Sequence, residues 1–241
     1  MDKDVRARIE MAMQEPELPI GPDVPQGAAE SPLEKRIGVI IALAAAGGLH
    51  LVLAPNLSVG PTWAPLASVL VLMFPTWLAG RAKAYRLVQI LGHTISGILT
   101  FFMIASVGLL VATVLAKEGR PSDLLRSAAA LWITNILVFA SWYWRLDAGG
   151  PEVRHRRQTH HVGSFFFPQM GMSAEIKACT GQTHWKPGFI DYLFLSFCTS
   201  TALSPADTAA LSRWAKVLMM LQALVSLAVI VLLAARAVNM L

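Results

Sequence analysis

The chain has 241 residues, of which 55% are hydrophobic and only 15% charged, and its mean hydropathy is +0.54. Soluble domains carry about a quarter charged residues, so this composition excludes an ordinary soluble globule and points to an integral membrane protein. The net charge of +5 does not indicate nucleic acid as a partner, because Lys and Arg sit mostly at the ends of apolar runs, where topology signals lie.

Residues 1–36 are polar, mixed in charge and rich in proline, and read as a flexible tail without the apolar stretch of a cleaved signal peptide. Within it, Val5, Ile9 and Met13 recur at helical spacing. Residues 37–145 hold four apolar segments, Ile37 to Ala54, Trp63 to Gly80, Val88 to Ala116 and Leu124 to Trp144. Each is near the roughly 20 residues a helix needs to cross the hydrocarbon layer. Helices are expected because lipid cannot satisfy an exposed backbone and nothing alternates as barrel strands would. Pro75 allows a kink in the second segment, and Trp142, Tyr143 and Trp144 beside Arg145 close the fourth as an aromatic belt.

Residues 146–187 form a polar, basic loop with Phe165, Phe166 and Phe167 inside it, expected either to dip into the interface or to pack on the bundle. A fifth span runs from Leu211 to Leu241. With the N-terminus inside, the tail, the second-to-third loop, the long loop, Arg213 and Lys216 put most cations on the cytoplasmic side. Only Lys117, Arg120, Arg126 and Arg236 fall outside.

The stretch 188–241 carries the most specific signal. Pro187-Gly188 is a break, Phe189 to Thr201 reads as a helix of thirteen residues, and a Ser-Pro turn precedes the last span. At 1.5 Å per residue that helix covers only about 20 Å, too short for a crossing, so a re-entrant half-helix is expected. Asp191-Tyr192-Leu193-Phe194-Leu195-Ser196-Phe197-Cys198-Thr199-Ser200-Thr201, followed by Ala202 to Asp207, resembles the pore helix and selectivity filter of potassium channels. The span beginning Leu211-Ser212-Arg213-Trp214 is similar to that family's inner helix, and the likeness covers about a fifth of the chain. The stretch also resembles an uncharacterised class of bacterial integral membrane proteins with four spans ahead of such a pore-like tail.

The resemblance implies an ion-channel-like protein of the bacterial inner membrane. Its pore would form in a homo-oligomer, a tetramer, and would pass potassium or another monovalent ion. Thr199, Thr201, Ala202, Leu203, Ser204, Pro205, Ala206 and Asp207 would form the filter region, with Gln222 and Ser226 lining from the inner helix. The filter glycines of the family, however, fall on Ser204 and Ala206 and its tyrosine on Pro205. A potassium filter aims successive carbonyls at the ion, in angles glycine adopts cheaply and a Cβ-bearing residue does not. The alternative is a non-conducting membrane scaffold or accessory subunit, in which the half-helix only packs.

Asn135 and Gln222 lie too deep to reach water and are expected to find partners across helix interfaces, while His50 and His93 near span ends fit the interface. His155, His160, His161 and His184 share the long loop with Cys179, but no CxxC or HxxxH spacing supports a metal site. The other cysteine, Cys198, lies in the half-helix, so no disulfide framework is implied. No nucleophile elbow, HExxH or phosphate-binding glycine loop appears, so neither enzyme activity nor a cofactor is expected.

Overall fold

The computed structural model describes residues 34–156, 163–183, 185–201 and 207–238, and the chain is predominantly helical. Among these residues the helices are α1 (Glu34–Leu49), α2 (Ala64–Arg81), α3 (Tyr85–Leu115), α4 (Pro121–Leu146), α5 (Pro151–Arg156), α6 (Pro168–Gly171), α7 (Ala174–Cys179), α8 (Phe189–Thr201) and α9 (Arg213–Val238). Two short strands, β1 (Phe165–Phe166) and β2 (Ala209–Ala210), pair antiparallel.

The chain divides into two compact units. Within the smaller one, α7 is a short capped helix: Ser173 Oγ accepts from the Ile176 amide, and the chain turns out of it at Gly181. The described residues outside 172–183 belong to the larger unit.

In the larger unit, four helices are long and apolar enough to cross a membrane, namely Ala64–Arg81, Tyr85–Leu115, Pro121–Gly149 and Arg213–Ala235. The apolar helix Ile37–Val52 is shorter. Helix α4 is the centre of the bundle. Of its apolar window 67% is buried, against 17–28% in the other three, and α1, α3, α8 and α9 all pack on it. Its small residues, among them Ser127, Ala128, Ala130, Ala140 and Ser141, let neighbours approach closely on several sides. On α3, which packs against α2 and α4, the buried positions Val88, Gly92, Ile95, Leu99, Met103 and Leu110 recur at helical period. Helix α2 instead turns Leu70, Val71, Phe74, Trp77 and Leu78 outward, as a lipid-facing helix does. Pro75 lies inside α2, and the neighbouring Thr76 hydroxyl bonds to the Leu72 carbonyl.

The path of the chain after α4 positions the candidate site. The Phe189 ring lies 6.3 Å from Trp144 near the C-terminal end of α4, and Phe197 lies 6.2 Å from Trp132 near its middle. Helix α8 therefore runs antiparallel to α4 and ends halfway along it. The chain is next described at Asp207, and at β2 it is already beside Phe165, whose ring is 5.2 Å from Tyr143. The Leu211 amide donates to the Ser164 carbonyl at 2.8 Å. Both ends of the 189–211 segment thus sit toward the C-terminal end of α4. From there α9 runs antiparallel to α4, with Trp214 against Phe165, Gln222 at Tyr143, Ser226 at Trp132, and Leu232 and Leu233 beside Leu124 and Ala128.

Two of the three phenylalanines of the long loop pack on the bundle. Phe165 and Phe167 are buried, and Phe167 meets the Trp185 and Tyr192 rings edge-on at 5.7 and 5.3 Å. His50 departs from the interfacial placement expected of it. A turn of 3-10 helix, His50–Val52, extends α1 and carries the imidazole into the core edge-on to Phe102, where it is fully buried. His93 is half-buried, its Nδ1 2.6 Å from the Gln89 carbonyl oxygen and its ring 5.7 Å from Trp142.

The exit from α4 depends on Gly150, whose φ of +90° and ψ of 172° lie in a region essentially confined to glycine. A Cβ there would also stand 2.8 Å from the Arg145 carbonyl oxygen. Gly150→Ala is expected to lower unfolding stability in bicelles by about 1–3 kcal/mol. A variant as stable as wild type would mean the turn relaxes freely.

Candidate functional site

The local sequence sets both ends of α8. Gly188 precedes its first residue, and the Asp191 carboxylate reaches back to accept from the Gly188 amide at 2.7 Å, satisfying one of the donors a helix start leaves open. The helix then has two stripes. Phe189, Tyr192, Leu195, Ser196 and Ser200 are buried, while Ile190, Phe194 and Phe197 face outward. Its hydroxyls at Ser196 and Ser200 therefore point into the protein and its apolar side points away.

At the inner end of α8 a polar network closes within the chain. Tyr143 donates to Gln222 Oε1 at 2.5 Å. Gln222 Nε2 lies 2.8 Å from the Ser196 carbonyl, 2.7 Å from Ser196 Oγ and 2.7 Å from Ser200 Oγ, so its two hydrogens are shared among three acceptors. Ser196 Oγ donates to the Ile136 carbonyl at 2.7 Å. Ser226 Oγ donates at 2.6 Å to the Ser200 carbonyl, one of the four that the end of a helix leaves without an amide partner, and receives Trp132 Nε1 at 3.1 Å. Asn135 Nδ2 donates to the Gln222 carbonyl at 3.3 Å, while its Oδ1 has no partner among the described atoms. Asn135, Ser196, Ser200, Gln222 and Ser226 are all buried. Each such group would cost about 1–3 kcal/mol if left unpaired away from water.

A second cluster holds the outer end. Asp147 is buried just beyond α4, its Oδ2 accepting from the Tyr192 hydroxyl and its Oδ1 from the Ser164 amide, both at 2.6 Å. Gly163 is required beside it, because a Cβ there would overlap Asp147 Oδ1. The Arg154 guanidinium donates to the Asp147 and Trp144 carbonyls at 2.6 and 2.8 Å, closing the C-terminal end of α4, and lies 5.2 Å from the Tyr192 ring centre. Burial pushes the Arg154 pKa below its ordinary value, and the neighbouring Asp147 carboxylate opposes that shift.

The residues singled out from sequence fall into three groups. Gln222 and Ser226 are in the network. Thr199 and Thr201 turn their hydroxyls back onto their own helix, Thr199 to the Leu195 carbonyl at 2.8 Å and Thr201 to the Phe197 and Cys198 carbonyls at 3.2 Å. Asp207 is exposed, and Ala202, Leu203, Ser204, Pro205 and Ala206 lie outside the described residues, as do the tail, His160, His161, His184 and the His155 side chain. Among the described residues no three His, Cys, Asp or Glu side chains group as metal ligands, and Cys179 and Cys198 are free thiols.

Sequence reasoning passed over Tyr143, Tyr192, Asp147, Arg154, Ser196 and Ser200 as site residues. A signal existed for the serines. Ser196 and Ser200 are four residues apart on α8, and Gln222 and Ser226 four apart on α9, so two helices present polar pairs of equal spacing in apolar surroundings.

Four helices long and apolar enough to cross a membrane point to a helical membrane protein, in which the thirteen-residue α8 is fastened against its neighbours. The chain matches no known protein family, no curated protein and no solved structure.

A double-mutant cycle between Tyr143→Phe and Gln222→Leu, read as unfolding free energy by steric trapping in bicelles, is expected to give a coupling of about 0.6–1.7 kcal/mol. Additive effects would mean that the hydrogen bond between them contributes nothing.

Proposed function

We propose that the chain is a non-conducting scaffold or accessory subunit of the bacterial inner membrane, without enzymatic activity. In this reading it has five spans, Ile37–Val52 being the fifth, and α8 is re-entrant, entering and leaving on one face. The supporting observation is the closure of the polar network. Gln222 and Ser226, the side chains that would line a path from the inner helix, are consumed by hydrogen bonds to Ser196 and Ser200 of the same chain. A half-helix held in this way is a packing element that fixes the neighbouring helices. Re-entrance is supported by the return of the chain at Ala209–Ala210 to the β1 strand, toward the end of α4 where α8 began.

The second reading is the ion-channel-like one, an oligomeric pore for potassium or another monovalent ion. It is favoured by the outward apolar stripe of α8, which would suit contact with other copies, and by the exposed Asp207 carboxylate just beyond the filter-like residues.

Two measurements test these readings. With Cys179 and Cys198 replaced, Lys186→Cys and Leu211→Cys are expected to react with an impermeant maleimide from the same side of sealed vesicles. Labelling from opposite sides would refute re-entrance. In a liposome flux assay for monovalent cations, wild type is expected to behave like empty vesicles. Flux in wild type that Thr201→Val or Asp207→Ala abolishes would overturn the scaffold reading in favour of the pore.

A further inference from the structure

Helices α2 and α3 are joined by a tight turn that concentrates positive charge. Arg81, Lys83 and Arg86 lie within six residues and are all exposed. The sequence between Glu34 and Glu118 contains no Asp or Glu, and no carboxylate pairs with any of the three among the described residues.

The turn also has a fixed shape. The Arg81 guanidinium stacks 4.1 Å from the ring centre of Trp77, a half-exposed indole on the outward face of α2 one turn back. Lys83 holds a φ of +55°, with its amide on the Gly80 carbonyl at 3.2 Å and its carbonyl on the Tyr85 amide at 3.0 Å. A lysine in left-handed backbone is uncommon, since glycine or asparagine meets that geometry at lower cost. Cations that served only to orient the spans during insertion would need neither the stack nor the turn. The apolar stripe Leu70, Val71, Phe74 and Leu78 leads along α2 to this turn, so an acyl chain lying on the stripe would bring its headgroup to the three cations.

We propose that this turn is a docking surface for anionic phospholipid headgroups. Lys83 and Arg86 meet the phosphate as donors, while Arg81, braced on Trp77, offers the planar fork that pairs with two phosphate oxygens. Trp77 sits at headgroup depth, where its amphipathic ring fits. Each cation near an anionic lipid contributes roughly fivefold in association.

The test uses the full chain in phosphatidylcholine bilayers with trace spin-labelled lipid, comparing the motionally restricted fraction of phosphatidylglycerol with that of phosphatidylcholine by electron paramagnetic resonance. Wild type is expected to hold phosphatidylglycerol more strongly, by roughly a hundredfold at low salt for three additive cations, and the ratio should fall as salt is raised. Combining Arg81→Gln, Lys83→Gln and Arg86→Gln should bring the ratio close to unity. If that variant fails to insert, Lys83→Gln alone should lower the ratio roughly fivefold at low salt. Equal restriction of the two lipids by wild type, or a ratio that the substitutions leave unchanged, overturns the proposal.

Discussion

A helix that stops halfway along its neighbours leaves its last carbonyls without amide partners inside an apolar bundle. The polar contacts at the inner end of α8 follow from meeting that constraint. Lipid and packed apolar side chains cannot accept or donate, so an unsatisfied carbonyl at the end of α8 costs kilocalories rather than tenths. Ser226 bonds to the Ser200 carbonyl, and Trp132 in turn donates to Ser226, so the demand passes outward to a side chain with a donor to spare. Gln222 takes the two serine hydroxyls and is itself held by Tyr143. These contacts fix the register of α8 against α9 and of both against α4. A slide of one residue along either helix would turn the polar pair to the wrong face.

The outer end of α8 is fastened by different chemistry. Asp147 and Arg154 are both buried, and burying opposite charges does not in itself add stability. Their value lies in the groups they satisfy. Arg154 closes the carbonyls at the end of α4, and Asp147 joins α8 through Tyr192 to the strand segment through Ser164. Removing either side chain would strand several buried partners at once. Tyr192 and Ser200 are eight residues apart, so α8 is pinned about 12 Å apart along its axis. A helix held at both ends in this way behaves as part of the bundle.

Much of this framework was legible in the sequence. The helix expected over Phe189 to Thr201 has those bounds, and the Pro187-Gly188 break marks its start without help from tertiary structure. The long apolar segments became α2, α3, α4 and α9 with shifts of a few residues, as hydropathy and length alone dictate. Asn135 and Gln222 do find partners across helices, because such groups have few alternatives in an apolar bundle. The central role of α4 was not legible, since its mean hydropathy of 1.5 lies between the 1.3 of α2 and the 2.5 of α3. Its neighbours are chosen by which faces carry Ser and Ala, a property of the assembled bundle. Nor could the 146–187 stretch show that Phe165 and Phe167 enter the core while Asp147 and Arg154 are buried beneath them. The sequence left open whether its phenylalanines dip into the interface or pack on the bundle, and only the folded chain brings Tyr192 to Asp147. His50 shows the same limit, since its burial depends on Phe102 of α3.

The central claim is that the polar face of α8 is closed off within the chain and held as firmly as the helices around it. Hydrogen-deuterium exchange of the full protein in lipid nanodiscs tests this most directly, comparing amides of residues 196–201 with those of Phe139 to Tyr143 in α4. The expected result is slow exchange of comparable protection in both segments. Rapid exchange confined to 196–201 would contradict the claim, since it would mean that water reaches the half-helix from a hydrated path or a loosely seated loop.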